Sequence, residues 1–306
     1  MPNLTPLLTI SAVERETGIS KEVLRKWESR YGFPTPDRDE QGERIYVPEQ
    51  VARLRLIKRL MDAGFRPSKV VPVTAGDLMS IAEQSHVRMA GPASTQVELE
   101  LLGQLRSHDL VGLRQRLQRL LLEQGLGRFV LDTVAPLTYA VGEAWSQGKL
   151  EIYEEHLYTE LIQGILRGAV ETLTDLKGQP RIIFTTPPEE LHSLGILMVS
   201  ALFALEGAYC VPLGPQTPLE DIAGAVLAHQ ADVVVLSFSI AYPHRRIAPV
   251  LAELRARLPL AVAIWVGGAG TSRLGKPPLG VTVTPALETA REVLLEWRRL
   301  RVDLYR

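Results

Sequence analysis

The sequence predicts a multidomain chain: an all-α helix-turn-helix segment, then a four-helix bundle, then a doubly wound parallel α/β sheet. Three observations carry this. At roughly 100–200 residues per domain, 306 residues suggest two or three domains. Apolar residues keep a helical period through most of the first two thirds. The last third instead alternates near-continuous apolar strands with helices, as a parallel sheet covered on both faces requires.

Taken in order, Ile10-Ser11-Ala12-Val13 begins an amphipathic helix that ends at Gly18. Ser20 is an N-cap for a second helix, Lys21 to Arg30, and the Gly-containing turn between the two makes a helix-turn-helix. Gly32, Pro34 and Pro36 end it. Arg44 to Val47 reads as a short strand after the polar turn Asp37–Gly42, and Val51 to Ala63 as a helix closed by Gly64. Residues 76–95 are a helix end and linker, which leaves 1–75 as the first domain. Helices near 97–106, 109–124, 127–146 and 151–176 have short links, so the bundle of 96–178 is antiparallel. In 179–306, strands at 181–186, 208–213, 232–239, 261–266 and 281–284 alternate with helices at 191–205, 217–229, 247–257 and 287–300. Ligands of such sheets sit outside the carboxyl ends of the strands, so the loops after Thr186, Leu213, Ser239 and Val266 should carry binding residues.

Lys+Arg 34 against Asp+Glu 35 gives a net charge of −1, which excludes a polycation that coats nucleic acid through bulk charge. The single Cys210 excludes an internal disulfide framework and a Cys-rich zinc site, and fits a reducing cytoplasm. No basic start precedes the short apolar stretch at the N-terminus, and no apolar run is long enough to span a membrane. The expectation is a cytoplasmic protein with no membrane partner.

Any binding of nucleic acid must therefore be local. Residues 1–74 hold thirteen Lys and Arg against ten Asp and Glu, a net +3. Lys21, Arg25, Lys26 and Arg30 lie on or beside the second helix, with Trp27 and Tyr31 between them. Such a helix fits the major groove, where Arg reads guanine. Arg44 and Tyr46, on the short strand, could reach phosphates. A solvated charged face would use the same residues. The string Leu24-Arg25-Lys26-Trp27-Glu28-Ser29-Arg30-Tyr31-Gly32-Phe33-Pro34, then Arg44-Ile45-Tyr46 and Leu54 to Gly64, resembles the winged helix-turn-helix of the MerR family. The resemblance covers most of residues 7–71. It implies double-stranded operator DNA, a palindromic site and a dimer, with Trp27 in the core and Arg30, Tyr31 and Arg44 on the DNA backbone.

In the first α/β loop, Glu190 stands two residues before His192. Neutral imidazole suits a transition metal, and a carboxylate on its other nitrogen fixes the tautomer. A helix-start His beside acidic residues would give the same pattern. One His cannot hold a bare metal ion, but it can complete the coordination of one already in a macrocycle. Gly195 is followed after 41 residues by Ser237-Phe238-Ser239, and Ser239 after 27 residues by Gly267-Gly268. This resembles the cobalamin-binding signature Asp-x-His-x-x-Gly, Ser-x-Leu, Gly-Gly of methionine synthase and the mutases. The resemblance implies His192 as the lower ligand of cobalt, with Gly195, Ser237, Gly267 and Gly268 lining a slot for the dimethylbenzimidazole tail. Glu190 stands where the signature has Asp, so its carboxylate must fold back by one more methylene, and Ser239 stands where it has Leu. A nicotinamide site is rejected, since no Gly-x-Gly-x-x-Gly follows the first strand.

Trp145 is followed after nine residues by Glu155-His156, which an antiparallel helix pair could bring over one ligand face. A core tryptophan and a polar stripe would give the same pattern, and the pattern by itself favours them. The order of the three parts, with Trp-x9-Glu-His in the middle, resembles the CarH and LitR regulators. These are light-sensing transcriptional repressors in which adenosylcobalamin binds between bundle and α/β domain. Trp145, Glu155 and His156 would surround the adenosyl group. The liganded tetramer would hold DNA in the dark, and light would cleave the cobalt–carbon bond and dissociate it. In the best-known pattern a His follows the motif Trp; here it is Ser146, a poor ligand for oxidised cobalt. One alternative is a MerR-like regulator governed by another tetrapyrrole or a protein partner. A cobalamin-dependent enzyme subunit is disfavoured by the fused reader and by the lack of room for a substrate barrel.

Overall fold

The computed structural model describes residues 7–62, 65–78, 81, 96–173, 178–284 and 286–304. Contacts divide the chain into two compact units, 1–99 with 139–155 and 100–138 with 156–306.

In the first unit, α1 (Ile10–Thr17) and α2 (Lys21–Tyr31) form the helix-turn-helix. Thr9 caps α1 by accepting from the Ala12 N–H at 3.3 Å, and Ser20 caps α2 by accepting from Val23 at 3.4 Å. Gly18 and Gly32 end the two helices at φ 67° and 68°, a left-handed conformation that suits glycine. A three-stranded antiparallel sheet accompanies them, in the order β1 (Leu8–Thr9), β3 (Arg44–Tyr46), β2 (Asp37–Arg38). The reading of this segment as all-α is corrected to that extent. Strands of two residues carry no readable period-2 signal. The turn between β2 and β3 is held by Asp39 Oδ1, which accepts from the Gln41 and Glu43 N–H groups. Helix α3 (Pro48–Asp62) and the short α4 (Pro67–Val70) follow. Val13, Leu24, Trp27, Tyr46, Leu54 and Ile57 make the core. The expected linker at 76–95 lies outside the described residues apart from 76–78 and 81, as does the expected helix stop at Gly64.

The bundle consists of α5 (Gln96–Arg106), α6 (Leu110–Gln124), α7 (Leu126–Arg128), α8 (Ala135–Ser146) and α9 (Ile152–Leu173). The single helix expected over 127–146 is interrupted by a π-helical turn at Phe129–Val134. Pro136 explains it. A proline ring clashes with the carbonyl four residues back, and the wider turn relieves that clash. Across the antiparallel pair, Thr138 Oγ1 and Tyr158 Oη lie 2.6 Å apart. Glu154 reaches back so that its carboxylate accepts from the Glu151 N–H at 2.7 Å, which sets the start of α9.

The α/β part is a five-stranded parallel sheet. Its order is β5 (Tyr209–Gly214), β4 (Arg181–Thr185), β6 (Val233–Ser237), β7 (Ala263–Gly267), β8 (Val281–Val283). Ile182, Ile183, Phe184 and Val233 to Leu236 are all buried, which is why these strands read as unbroken apolar runs. The helices are α10 (Leu194–Leu205), α11 (Leu219–His229), α12 (His244–Arg257) and α13 (Leu287–Leu304). Strand order reverses at β4 and β6, so the loops leaving these two strands flank the switch point where such sheets bind ligands.

Candidate functional site

Both loops at the switch point carry the residues singled out in the sequence. Helix α10 begins at Leu194, later than the expected 191, so His192 stands in the loop before it. Thr186 fixes that loop: its Oγ1 donates to the Glu190 carbonyl at 2.6 Å and accepts from the Gln216 N–H at 2.9 Å. Glu189 takes φ 70°, a left-handed turn that aims Glu190 inward.

The Glu190 side chain is 1% exposed, and that of His192 is 63% exposed. A carboxylate so buried needs partners, and it has them. Glu190 Oε1 accepts from the His192 backbone N–H at 2.9 Å and meets His192 Nδ1 at 2.7 Å. Oε2 accepts from the Ser239 N–H at 2.7 Å. Burial works to raise the Glu190 pKa. The hydrogen bonds from the His192 ring, the His192 backbone and Ser239 outweigh it and hold the carboxyl below its ordinary value. An ionised carboxylate only accepts, so Nδ1 carries the proton and Nε2 is the ring atom with a lone pair for a metal. The extra methylene of Glu190 therefore costs none of these contacts. Ser239 adds its Oγ at 3.1 Å from Nδ1.

The glycines lie where close approach demands them. A Cβ on Gly195 would come within 3.0 Å of Ser237 Oγ, which places these two residues face to face. Gly268 has φ 91°, and a Cβ there would meet the Phe238 carbonyl oxygen at 2.3 Å. A Cβ on Gly267 would stand 3.3 Å from the Thr284 carbonyl oxygen. Gly270, which sequence reasoning missed, presses on the Ser239 carbonyl; a third glycine in Gly267-Gly268-Ala269-Gly270 was the available signal. Also missed was the ion pair between Arg246, at the start of α12, and Glu189. The oriented imidazole and this cradle of Gly and Ser fit a cobalamin. Among the described residues, no three His, Cys, Asp or Glu side chains gather to hold a bare metal ion.

In the bundle, Trp145 is half-buried near the end of α8. Near the start of α9, Glu155 is half-buried and His156 exposed.

In the helix-turn-helix, Arg25, Lys26 and Arg30 are exposed along α2. Lys21 pairs with Glu14 at 3.6 Å, and Arg30 lies over the Tyr31 ring at 5.4 Å. Arg44 is engaged within the protein: its Nε and Nη2 donate to the two Glu28 oxygens at 2.8 and 3.3 Å, tying strand β3 to α2. Those bonds raise its pKa. Tyr46, expected to reach phosphate, is fully buried instead. In a three-residue strand, alternation cannot tell which side faces the core, and the tyrosine ring fills it.

Comparison with known proteins gives three family matches. Residues 8–75 match the MerR HTH family of regulatory proteins, while 98–167 and 180–291 each match a B12 binding domain. The HTH-type transcriptional repressor CarH of Myxococcus xanthus is 30% identical over 256 residues, covering 82% of this chain and 85% of that one. The chain belongs to the CarH family. A second member from Myxococcus xanthus, the HTH-type transcriptional repressor CarA, is 29% identical over 305 residues, covering 96% of this chain and 97% of that one. The fold of the monomethylamine corrinoid protein of Methanosarcina barkeri is also similar. Its TM-score is 0.52 at 16% identity, over 64% of this chain and 96% of that one. That likeness concerns the fold alone. The chain is a cobalamin-binding, MerR-type transcriptional regulator. No helix among the described residues is long and apolar enough to cross a membrane.

Proposed function

We propose that the protein is a repressor whose DNA binding is controlled by adenosylcobalamin and by light, and that it is not an enzyme. The observation that carries this is the Glu190–His192 pair: a buried carboxylate holds Nδ1 and directs Nε2 to serve as the lower ligand of cobalt. Gly195, Ser237, Gly267 and Gly268 line the tail slot, and Ser239 braces the Glu190 carboxylate. On this reading Trp145, Glu155 and His156 would hold the adenosyl group. Adenosylcobalamin supplies a cobalt–carbon bond that light can break. Residues 1–75 are the reader, 76–95 the linker, 96–178 the cap and 179–306 the floor. Lys21, Arg25, Arg30 and Tyr31 contact double-stranded DNA. Arg44 acts by holding the wing against α2 through Glu28.

A reader of net +3 releases few counterions, so one copy binds weakly. Assembly of the liganded chain as a dimer or tetramer on a palindromic operator raises affinity through effective concentration. Ligand loss shifts the population back to single readers. The test is an absorption spectrum of the protein reconstituted with adenosylcobalamin in the dark. Wild type should show the base-off, His-on form, and His192→Ala should lose it. Identical spectra for the two would refute the assignment of His192.

A further inference from the structure

We propose that Gln163 is a positioning residue that ties the cobalt-ligand loop to the bundle helix bearing His156, an inference that rests on the cobalamin reading above. Gln163 lies on α9, seven residues after His156 and so close to two turns along the same face. Its Nε2 donates to Ser193 Oγ at 3.1 Å, and its Oε1 accepts from Arg167 Nη2 at 2.9 Å. Arginine only donates. It therefore fixes which end of the amide is oxygen and leaves the NH2 to face the serine.

Ser193 is the residue directly after His192, and it stands at the N-cap of α10. A serine there ordinarily turns its oxygen onto the N–H groups of the first helical turn. This one makes no such bond: its φ and ψ of −104° and −10° are not those of a cap. The hydroxyl serves the bundle helix instead. A cavity of about 50 Å³, bordered by Arg167, Ser193, Ser200, Phe184 and Pro212, lies beside it and gives the side chain room to turn. Ser193 thus has two alternative partners, Gln163 and the N-terminus of α10. Motion of α9 that withdraws Gln163 frees Ser193 to cap α10 and moves the backbone that carries His192. In the other direction, a change at His192 is felt at α9.

The experiment compares the full-length chain with its Gln163→Leu, Ser193→Ala and Ser193→Thr variants and the Leu/Ala double variant. Amide hydrogen exchange is followed at residues 191–196, with and without adenosylcobalamin. Loss of one hydrogen bond should speed ligand-free exchange there by about 5-fold in Gln163→Leu. Ser193→Ala and the double variant should match it, and Ser193→Thr should stay near wild type. Adenosylcobalamin should protect the N-terminal half of α9 in wild type and not in Gln163→Leu, although both take up the ligand through His192. Unchanged exchange at 191–196 in Gln163→Leu, or additive effects in the double variant, would overturn the proposal. If wild type took up no adenosylcobalamin, the cobalamin reading would fall, while the ligand-free arm would still decide whether Gln163 positions the loop.

Discussion

At the level of single residues, the site turns on how Glu190 is satisfied. Removing its charge while keeping its shape, as in Glu190→Gln, leaves the imidazole without a fixed tautomer. Partners of this kind typically matter by about 10–100-fold in metal affinity, so calorimetric titration with cobalamin should show a loss of that order. The pairing was legible in the sequence because Glu190 and His192 are two residues apart. The third partner, the Ser239 N–H, comes from 49 residues away and needed the sheet to bring it close. Cys210 gives an independent check on the core. Burial pushes its thiol up to about 12. At pH 8, four decades below that value, only about one thiol in ten thousand is the reactive thiolate. The native protein should resist iodoacetamide at pH 8 and react once unfolded in urea, as mass spectrometry would reveal. Prompt alkylation of folded protein would contradict the placement of strand β5.

Among the elements, the parallel sheet was the most legible, since strands buried on both faces leave uninterrupted apolar runs. Helix ends were less so. The start of α10 moved past His192 because the Thr186 and Glu190 bonds hold 190–193 as a loop, and no local propensity announces bonds to distant strands. Of the β1–β3–β2 sheet only the middle strand was read; the two-residue strands beside it escaped notice for want of length, as did the burial of Tyr46. Close approach of the loop after β7 to the loop after β6 rests on Gly268. Gly268→Ala sets a Cβ against the Phe238 carbonyl at a left-handed φ, so chemical denaturation should show a loss on the order of 2 kcal/mol. Ser20→Ala removes the cap of α2 and should lower stability by about 1 kcal/mol, with weaker DNA binding as the reading helix frays.

For the whole molecule, the order of the parts was legible because each has its own period and motif. The coupling between them was not, for it depends on side chains such as Gln163 and Ser193 that carry no signature. On the proposed reading, the near-neutral chain and its weakly basic reader make DNA affinity depend on assembly. On that reading, Ser146→His beside Trp145 should add a nitrogen ligand after illumination, visible as a shifted cobalt spectrum. The most direct test is retention of a DNA fragment selected from a random pool by the cobalamin-loaded chain, measured by gel shift at physiological salt. The chain loaded with adenosylcobalamin should retard that DNA in the dark and release it after green light, with a fall in apparent affinity of at least about 10-fold as linked readers separate. Equal retention in the dark, in the light and without cobalamin would contradict it.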